Sequence, residues 1–182
     1  RAISEKHISK KIVIYDKSSE ALSFLKKEIP KIEVAKDLFS ASKNADLLIV
    51  ATPLSSYEEI FLTIKDCLKK NAIITDTGSV KKEINKIIEN LDLKNNSWIA
   101  SHPIAGTEDS GPKAGYAKLF ENRWCIISPS PKAKKDEIIQ IQKFWKLLGS
   151  KVKVMSFEEH DYILSLTSHL PHAIAYSLVR TA

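Results

Sequence analysis

The feature that most constrains the fold of this chain is the alternation of short apolar runs with stretches of helical periodicity. Continuous runs rich in valine, isoleucine and leucine are typical of strands that are buried on both faces of a sheet. They alternate here with helical stretches, which predicts an α/β fold with a doubly wound, mostly parallel sheet and right-handed crossovers. The strand-like runs lie at 11–16, 32–35, 46–53, 72–79, 98–103, 123–129 and 151–156, and the helical stretches at 18–28, 37–43, 55–69, 79–91 and 133–148.

Serine residues stand where three of the predicted helices should begin. Ser18, Ser55 and Ser79 each precede a helical stretch, and Glu83 follows Ser79 in the first turn expected for its helix. A serine hydroxyl caps a helix by accepting a hydrogen bond from a free backbone N–H of the first turn. We therefore predict these three serines as N-caps.

The end of the chain has a pattern that differs from the middle. After Met155 no further strand-like run occurs, and apolar residues continue at helical spacing to the last residue. We therefore expect residues 1–155 to form one domain and residues 156–182 to begin a second, helical domain. Pro171 lies inside this helical stretch. Because proline lacks a backbone N–H, it should kink the helix or open it locally.

An acidic residue, Asp16, ends the first strand-like run. In dinucleotide-binding βαβ units, an acidic residue at the end of the second strand binds the adenosine ribose, about 20 residues beyond a glycine-rich loop. Counting back that far from Asp16 passes the first residue of the chain. We therefore expect the first strand and the glycine loop to be missing, and the chain to be part of a larger protein. The alternative role of Asp16 is that of a turn or cap residue.

Composition limits the classes of protein that fit this chain. It contains 43% hydrophobic and 27% charged residues, as ordinary globular proteins do. No run approaches the roughly 18 apolar residues of a membrane helix, and no secretory signal opens the chain, so we expect a cytoplasmic protein without a membrane partner. The net charge of +6 is spread over lysine pairs at element ends, close to acidic residues. This pattern favours a solvated surface over a nucleic-acid site, and it attracts small anions or a dinucleotide.

Polar residues follow three of the strand-like runs. Thr52 and Pro53 end one run, where they would either line a dinucleotide or simply end the strand before a helix. Asp76 and Ser79 both lie at the end of the next run, and the Ser79 hydroxyl would either cap a helix or bond to a catalytic histidine. His102 ends the run after that. Because parallel strands bring their carboxyl ends to one edge of the sheet, we expect these residues to lie close together.

Three motifs carry a resemblance to a known family. They are DTGSVK at 76–81, SHPIAGTEDSG at 101–111 and SHLPH at 168–172. In this order and spacing they resemble the prephenate and arogenate dehydrogenases of tyrosine biosynthesis, and the resemblance covers nearly the whole chain. It implies a Rossmann-like dinucleotide-binding domain followed by the start of a helical substrate and dimerisation domain.

The resemblance implies roles on the substrate side of the site. His102 matches the catalytic histidine of the family, and Ser79 matches the serine that orients it. Glu108 matches an acidic residue of the substrate pocket, and His169 or, preferably, His172 matches a substrate-side histidine. A neutral imidazole at His102 would accept the proton of the prephenate hydroxyl during hydride transfer, which suits a group with a reference pKa of about 6.5. Without the resemblance, His102 would equally be a strand-end histidine bonded to backbone.

On the cofactor side, the resemblance implies that the protein uses NAD. Asp16 matches the ribose-binding acid, and its carboxylate would repel the 2′-phosphate of NADP. Thr52 and Pro53 match the loop that lines the cofactor, and Asp76 is assigned to the same side. No metal is expected. His169 and His172 lie one helical turn apart, but they lack the cysteine or HExxH context of a metal site.

The function implied is the NAD-dependent oxidative decarboxylation of prephenate to 4-hydroxyphenylpyruvate. Arogenate is the alternative substrate. Two other classes remain open, namely a Rossmann dehydrogenase that acts on another hydroxy acid with a lysine base, and a non-catalytic module that senses a ligand.

The glycine loop of the family is missing from this sequence, and so is the downstream region with its substrate-binding arginine and dimer interface. We expect a homodimer only for the full-length protein and negligible turnover from residues 1–182 alone.

Overall fold

Strands and helices alternate along most of the chain in the computed structural model, which describes residues 1–91, 93, 96–106, 109 and 111–181. Each predicted strand is present, although several are shorter than the apolar run that predicted them. The elements are α1 (Ala2–Glu5), β1 (Val13–Ile14), α2 (Ser19–Glu28), β2 (Glu33–Val34), α3 (Leu38–Ser42), β3 (Leu47–Val50), a 3₁₀ turn (Leu54–Ser56), α4 (Tyr57–Ile64), β4 (Ile73–Asp76), α5 (Lys82–Leu91), β5 (Ser97–Pro103), β6 (Trp124–Pro129), α6 (Lys135–Leu147), β7 (Lys151–Val154), α7 (Phe157–Leu164), a π-helical turn (Ser165–His169) and α8 (Leu170–Thr181).

The strands form two sheets. β1 and β2 pair in parallel, and a five-stranded sheet has the order β3-β4-β5-β6-β7. Its strand pairs are parallel except for β5 and β6, which are antiparallel. The predicted mostly parallel α/β architecture is therefore confirmed. Because β3, β4 and β5 run in the same direction, the residues that follow them meet at one edge of the sheet.

Helices cover both faces of the larger sheet. α4, α5 and α7 pack on one face, where Phe61 meets Trp98 edge to face with ring centroids 5.5 Å apart. α6 and α1 pack on the other face, around Ile99, Ile127 and Trp145. Both faces of the central strands are thus withdrawn from water, which is why these strands read as continuous apolar runs rather than as an alternating pattern.

Both cysteines of the chain pack against the hydrophobic core. Cys125 is fully buried in the core on the α6 face, and Cys67 is partly buried against the α4 cluster. In the described part of the chain, every helix is too short or too polar to cross a lipid bilayer.

Of the three predicted N-caps, only Ser18 is confirmed. Its side chain accepts a hydrogen bond from the backbone N–H of Ala21. The prediction for Ser55 is wrong, because this residue lies inside the 3₁₀ turn that precedes α4. The prediction for Ser79 is wrong as well, because α5 begins only at Lys82.

A distant carboxylate takes the place of the predicted cap on α5. Asp161, in α7, accepts hydrogen bonds from the backbone N–H groups of Lys81 (3.0 Å) and Lys82 (2.9 Å). These are donors that no carbonyl of the helix itself can reach, so Asp161 satisfies them across the fold. The bonds attach α7 to the start of α5.

The carboxyl-terminal helix is interrupted as Pro171 predicted. A π-helical turn, Ser165–His169, separates α7 from α8, and Pro171 is the second residue of α8. Wide turns of this kind form where a missing N–H breaks the regular ladder of hydrogen bonds. α7 is anchored by the buried Phe157 and Leu164, whereas none of the described residues of α8 is buried.

Candidate active site

The predicted site residues that follow β3, β4 and β5 gather at one edge of the sheet. Thr52 and Pro53 are exposed there, Asp76 is fully buried, and His102 is partly buried. Hydrogen bonds run from one strand end to the next, since the carboxylate of Asp76 accepts from the backbone N–H of Ser101 at 2.9 Å. The strand order therefore brings the expected residues together, with His102 at the end of β5.

Asp76 is the centre of a buried hydrogen-bond network. Besides the N–H of Ser101, its carboxylate accepts from the Lys81 ammonium at 2.6 Å, the Gly78 N–H at 3.0 Å and the Tyr57 hydroxyl at 3.2 Å. The Asp76 carboxylate has no exposed surface, and its hydrogen-bonding capacity is used by four donors of the protein itself. The predicted contact between Asp76 and a cofactor stays a prediction, whereas the geometry shows Asp76 positioning the backbone next to His102.

Lys81 is the charge partner of Asp76, and neither side chain has any exposed surface. Burial lowers the pKa of the Lys81 ammonium, while the charge and the hydrogen bond of Asp76 oppose this change. The side chain of Ser101 forms a second set of hydrogen bonds. Its hydroxyl lies 2.8 Å from the Thr75 hydroxyl and accepts a hydrogen bond from the indole N–H of Trp145 at 3.0 Å. The residue before His102 is therefore fixed through both its backbone and its side chain.

His102 is held by a histidine from α7. Its Nδ1 lies 2.9 Å from Nε2 of His160, and Nδ1 of His160 lies 2.7 Å from Oδ1 of Asp161. His160 stands in the polar start of α7, among exposed acidic residues, and yet it has no exposed surface. A signal was present in the sequence: Phe157, His160 and Leu164 recur at the spacing of one helix face, and all three are buried.

The electrostatic setting keeps His102 neutral. Burial lowers the pKa of the His102 imidazole to about 3, and the charge of Lys81 and those of two other histidines act in the same direction. Asp161 acts in the opposite direction. The pKa of His160 is lowered as well, mainly by burial and against the hydrogen bond to Asp161. Near neutral pH both rings are therefore neutral.

The other residues predicted for the substrate side are exposed or lie outside the described residues. Ser79 is exposed, and among the described contacts the hydrogen bond of His102 is made with His160 rather than with Ser79. His169 and His172 are exposed on the helical segment, although the charge of His169 is felt at His102. Glu108 lies outside the described residues.

Asp16 lies beyond the end of β1, in the two-stranded sheet. It is exposed, and its carboxylate accepts a hydrogen bond from the backbone N–H of Ser18 at 2.7 Å, which is the turn role that its sequence also allowed. The neighbouring Lys17 binds Glu59 of α4 at 3.0 Å. This contact brings the end of β1 towards the connection between β3 and α4, where Thr52 and Pro53 lie.

One cavity of the described structure lies away from these residues. A cavity of about 430 Å³ is found at the opposite edge of the sheet, where β5 begins, and Trp98, Asn85 and Ser130 contribute to its wall. None of the predicted site residues lines it. Within the described ranges, no group of three or more histidine, cysteine, aspartate or glutamate side chains is placed to bind a metal ion.

The fold and the position of the polar cluster define the class of this protein. A mostly parallel sheet with helices on both faces, and with its polar residues at the carboxyl edge, is a Rossmann-like nucleotide-binding domain. The chain belongs to the prephenate dehydrogenase family. Residues 1–154 match the family model described as the nucleotide-binding domain of prephenate dehydrogenase, and residues 156–182 match the model described as its dimerization domain.

Curated relatives share this family. The chain is 40% identical to cyclohexadienyl dehydrogenase of Zymomonas mobilis over 80% of its own length and 50% of the relative. It is 33% identical to prephenate dehydrogenase of Bacillus subtilis over 98% of its own length and 48% of the relative. The chain therefore spans about half the length of these relatives.

Solved structures share the fold. Prephenate dehydrogenase from Aquifex aeolicus superposes with a TM-score of 0.90 at 31% identity, covering 99% of this chain and 64% of that one. A second structure of the A. aeolicus enzyme, in complex with hydroxyphenyl propionate and NAD⁺, superposes with a TM-score of 0.89 at 32% identity, covering 99% of this chain and 63% of that one.

Proposed function

We propose that the protein carrying this chain catalyses the NAD-dependent oxidative decarboxylation of prephenate to 4-hydroxyphenylpyruvate and carbon dioxide. The observation that carries the proposal is the neutral imidazole of His102, fixed at the carboxyl edge of the sheet by a buried partner on α7. Membership of the family and the NAD⁺ complex of the A. aeolicus relative support the same reaction. As an enzyme of tyrosine biosynthesis, the protein would act in the cytoplasm.

The described residues fit part of a dinucleotide site. Asp16 presents an exposed carboxylate that suits the hydroxyls of an adenosine ribose, and Thr52 and Pro53 form an exposed loop at the carboxyl edge beside α4. When bound, NAD supplies the oxidant, because its nicotinamide ring accepts hydride. The carboxylate of Asp16 would repel the extra phosphate of NADP, which is why we propose NAD.

His102 serves as the general base in this proposal. Because its Nδ1 is bonded to His160, Nε2 is the ring nitrogen that accepts the proton of the substrate hydroxyl as carbonyl character develops at that carbon. The depressed pKa of His102 keeps Nε2 unprotonated before the reaction. The network around Asp76 keeps the backbone of β5, and with it the imidazole, in a fixed position.

The remaining residues of the substrate side are assigned by resemblance. We propose that Ser79 contacts the substrate close to His102, and that Glu108 and His172, or His169, lie against the substrate carboxylates and side chain. The exposure of Ser79, His169 and His172 leaves their side chains accessible to a ligand. We also propose that the full-length protein is a homodimer, because residues 156–182 match the dimerization-domain model.

Arogenate is the second candidate substrate. The relative with 40% identity is a cyclohexadienyl dehydrogenase, a name that covers both substrates. A hydroxy-acid dehydrogenase would need a lysine as its base. Lys81 does not suit this role, because its ammonium is fully buried against Asp76. The intact cluster of His102, His160 and Asp161 supports an enzyme over a non-catalytic sensing module.

An assay of the full-length protein, including any sequence beyond these 182 residues, tests the proposal. The protein is supplied with NAD and prephenate, then with NAD and arogenate, and the absorbance of reduced nicotinamide is followed together with the aromatic product. We expect turnover of prephenate. Turnover of arogenate alone would replace the substrate, and turnover of neither would refute the proposal. Residues 1–182 alone, assayed in parallel, are expected to show negligible turnover.

Replacing Asp16 by serine tests the assignment of the cofactor. Removing the carboxylate removes its bonds to the ribose and its repulsion of a 2′-phosphate, so kcat/KM should fall with NAD and rise with NADP. We expect the ratio of the two kcat/KM values to shift towards NADP by about tenfold or more, which corresponds to about 1.4 kcal/mol. Asp37→Ser, at the exposed cap of α3, is the matched control and should leave the ratio unchanged. An unchanged ratio in Asp16→Ser would mean that Asp16 does not contact the cofactor and serves only in the turn, through its hydrogen bond to Ser18.

A further inference from the structure

We propose that Asp161 and His160 are positioning residues that fix the tautomer of His102, so that the proton of its ring resides on Nδ1 and Nε2 stays free to act as the base. The three side chains form one line of hydrogen bonds, 2.7 Å from Asp161 to His160 and 2.9 Å from His160 to His102. The catalytic part of this inference rests on the proposed function, whereas the tautomer itself is a property of the free protein.

The line of hydrogen bonds begins at the Asp161 carboxylate, which can accept hydrogen bonds but cannot donate them. Burial tends to raise the pKa of the Asp161 carboxyl, but hydrogen bonds from the Lys82 N–H, His160 and the Lys81 N–H outweigh it and hold the pKa below its usual range. Asp161 is therefore an ionised carboxylate at neutral pH. Such a carboxylate has no proton to donate, so the short contact to Nδ1 of His160 requires the proton to lie on that nitrogen.

The second contact follows from the first. A neutral imidazole with its proton on Nδ1 presents Nε2 as an acceptor. The 2.9 Å contact between the two rings is then a bond that Nδ1–H of His102 donates to Nε2 of His160. Because His102 is also neutral, its single ring proton is used in this bond. Its Nε2 carries a lone pair, which is the requirement for accepting the proton of a hydroxyl.

The carboxylate is itself held rigidly, which is what allows it to set the proton positions. Its Oδ1 accepts from the Lys81 N–H as well as from His160, and its Oδ2 accepts from the Lys82 N–H. Both oxygens are thus engaged with donors at the start of α5. His160, which has no exposed surface, is excluded from water that would offer it other partners. The ring orientation and the tautomer of His102 are therefore determined 58 residues away along the chain.

The substitution Asp161→Asn disrupts this arrangement without changing its shape. The asparagine amide would have one acceptor oxygen and one NH₂ donor where the carboxylate has two acceptors. Whichever way the amide faces, a donor meets a donor, either at the Lys82 N–H or at His160 and the Lys81 N–H. In the second orientation His160 removes its own clash by moving its proton to Nε2, which then donates to Nδ1 of His102 and leaves the proton of His102 on Nε2, while the Lys81 N–H still faces the amide NH₂. In that form His102 is no longer a base, as is known for carboxylate-to-amide changes beside other catalytic histidines.

Nitrogen-15 NMR of histidine-labelled full-length protein tests the tautomer directly. In the unsubstituted protein at pH 7.5, we expect Nδ1 of both His102 and His160 to show the shift of a protonated nitrogen and Nε2 the shift of an unprotonated one. The variant His160→Leu identifies the signals of His160, because they are lost from its spectrum. It also removes the acceptor of His102 Nδ1–H and should therefore shift the His102 signals. A wild-type His102 that carries its proton on Nε2 overturns the proposal, whether or not the protein turns over prephenate.

Kinetics of Asp161→Asn tests the consequence for catalysis. We expect kcat with prephenate to fall about 10²-fold or more, with a much smaller change in KM, and the His102 signals to move towards the Nε2-protonated form. Glu158→Gln is the matched control, since it removes an exposed carboxylate from the same turn of α7 and should change neither readout. A loss of kcat with unchanged His102 signals, or unchanged kcat with altered signals, would each contradict the proposal that the tautomer of His102 controls its activity as a base.

Discussion

Replacing His102 by asparagine is expected to lower kcat for prephenate about 10²- to 10⁴-fold, the usual contribution of a general base. Asparagine can fill the same space and form a hydrogen bond, but it cannot take a proton. Binding of NAD and prephenate should therefore change little, and direct titration of each ligand should confirm this. Full activity in the variant would exclude His102 as the base.

His7→Asn is the matched control for this substitution. His7 has a φ of 51°, a left-handed conformation that asparagine adopts readily, so the fold should be undisturbed. Its kcat should equal that of the unsubstituted protein.

The pH dependence of kcat/KM is an independent test of the protonation state of His102. Burial lowers the pKa of His102 to about 3, so protonation of this ring should not reduce activity between pH 8 and pH 5. An acid limb near the reference value of about 6.5 that disappeared in His102→Asn would contradict the buried, neutral imidazole.

Replacing Asp76 by alanine is expected to lower the free energy of unfolding by about 3–5 kcal/mol. The substitution leaves the buried Lys81 ammonium without its ion-pair partner, and it also leaves the Tyr57 hydroxyl and the N–H groups of Gly78 and Ser101 without their acceptor. Urea denaturation of the full-length protein measures the loss. A change below about 1 kcal/mol would mean that the pair contributes no more than an exposed one.

Two further variants define the origin of this loss. Asp76→Ala combined with Lys81→Met removes both charges, so we expect it to recover a large part of the lost free energy. Glu59→Ala removes an exposed ion pair with Lys17, and it should change the free energy of unfolding by less than about 0.5 kcal/mol. Full additivity of the two core substitutions would contradict the coupling of Asp76 and Lys81.

The sequence predicted the order of strands and helices because that information is local. Most strands of the five-stranded sheet are largely apolar runs, and each crossover helix shows its own periodicity. The helix starts were less predictable. A serine in front of a helix is a local signal, and at Ser18 it sufficed. At α5 the donors are satisfied by Asp161, which comes from another element, so no local pattern near Ser79 could show it.

The same distinction applies to the site. His102 was predictable as the residue at the end of a strand next to Asp76, because parallel strands align their ends. Its partner was not, because His160 is 58 residues away and stands among charged neighbours. The spacing of His160 with Phe157 and Leu164 placed it on the inner face of α7, but only the packing of α7 against α5 and β6 shows which side chain it meets.

The π-helical turn at Ser165–His169 has a geometric consequence for the substrate side. An α-helix advances about 100° per residue, so one residue added to or removed from a turn rotates everything beyond it by that angle. α7 is fixed by its buried residues, and the wide turn therefore sets the azimuth at which α8 presents His172. Insertion or deletion of a single amino acid here would rotate the His172 imidazole by about 100° relative to α7 while leaving the nucleotide-binding half intact.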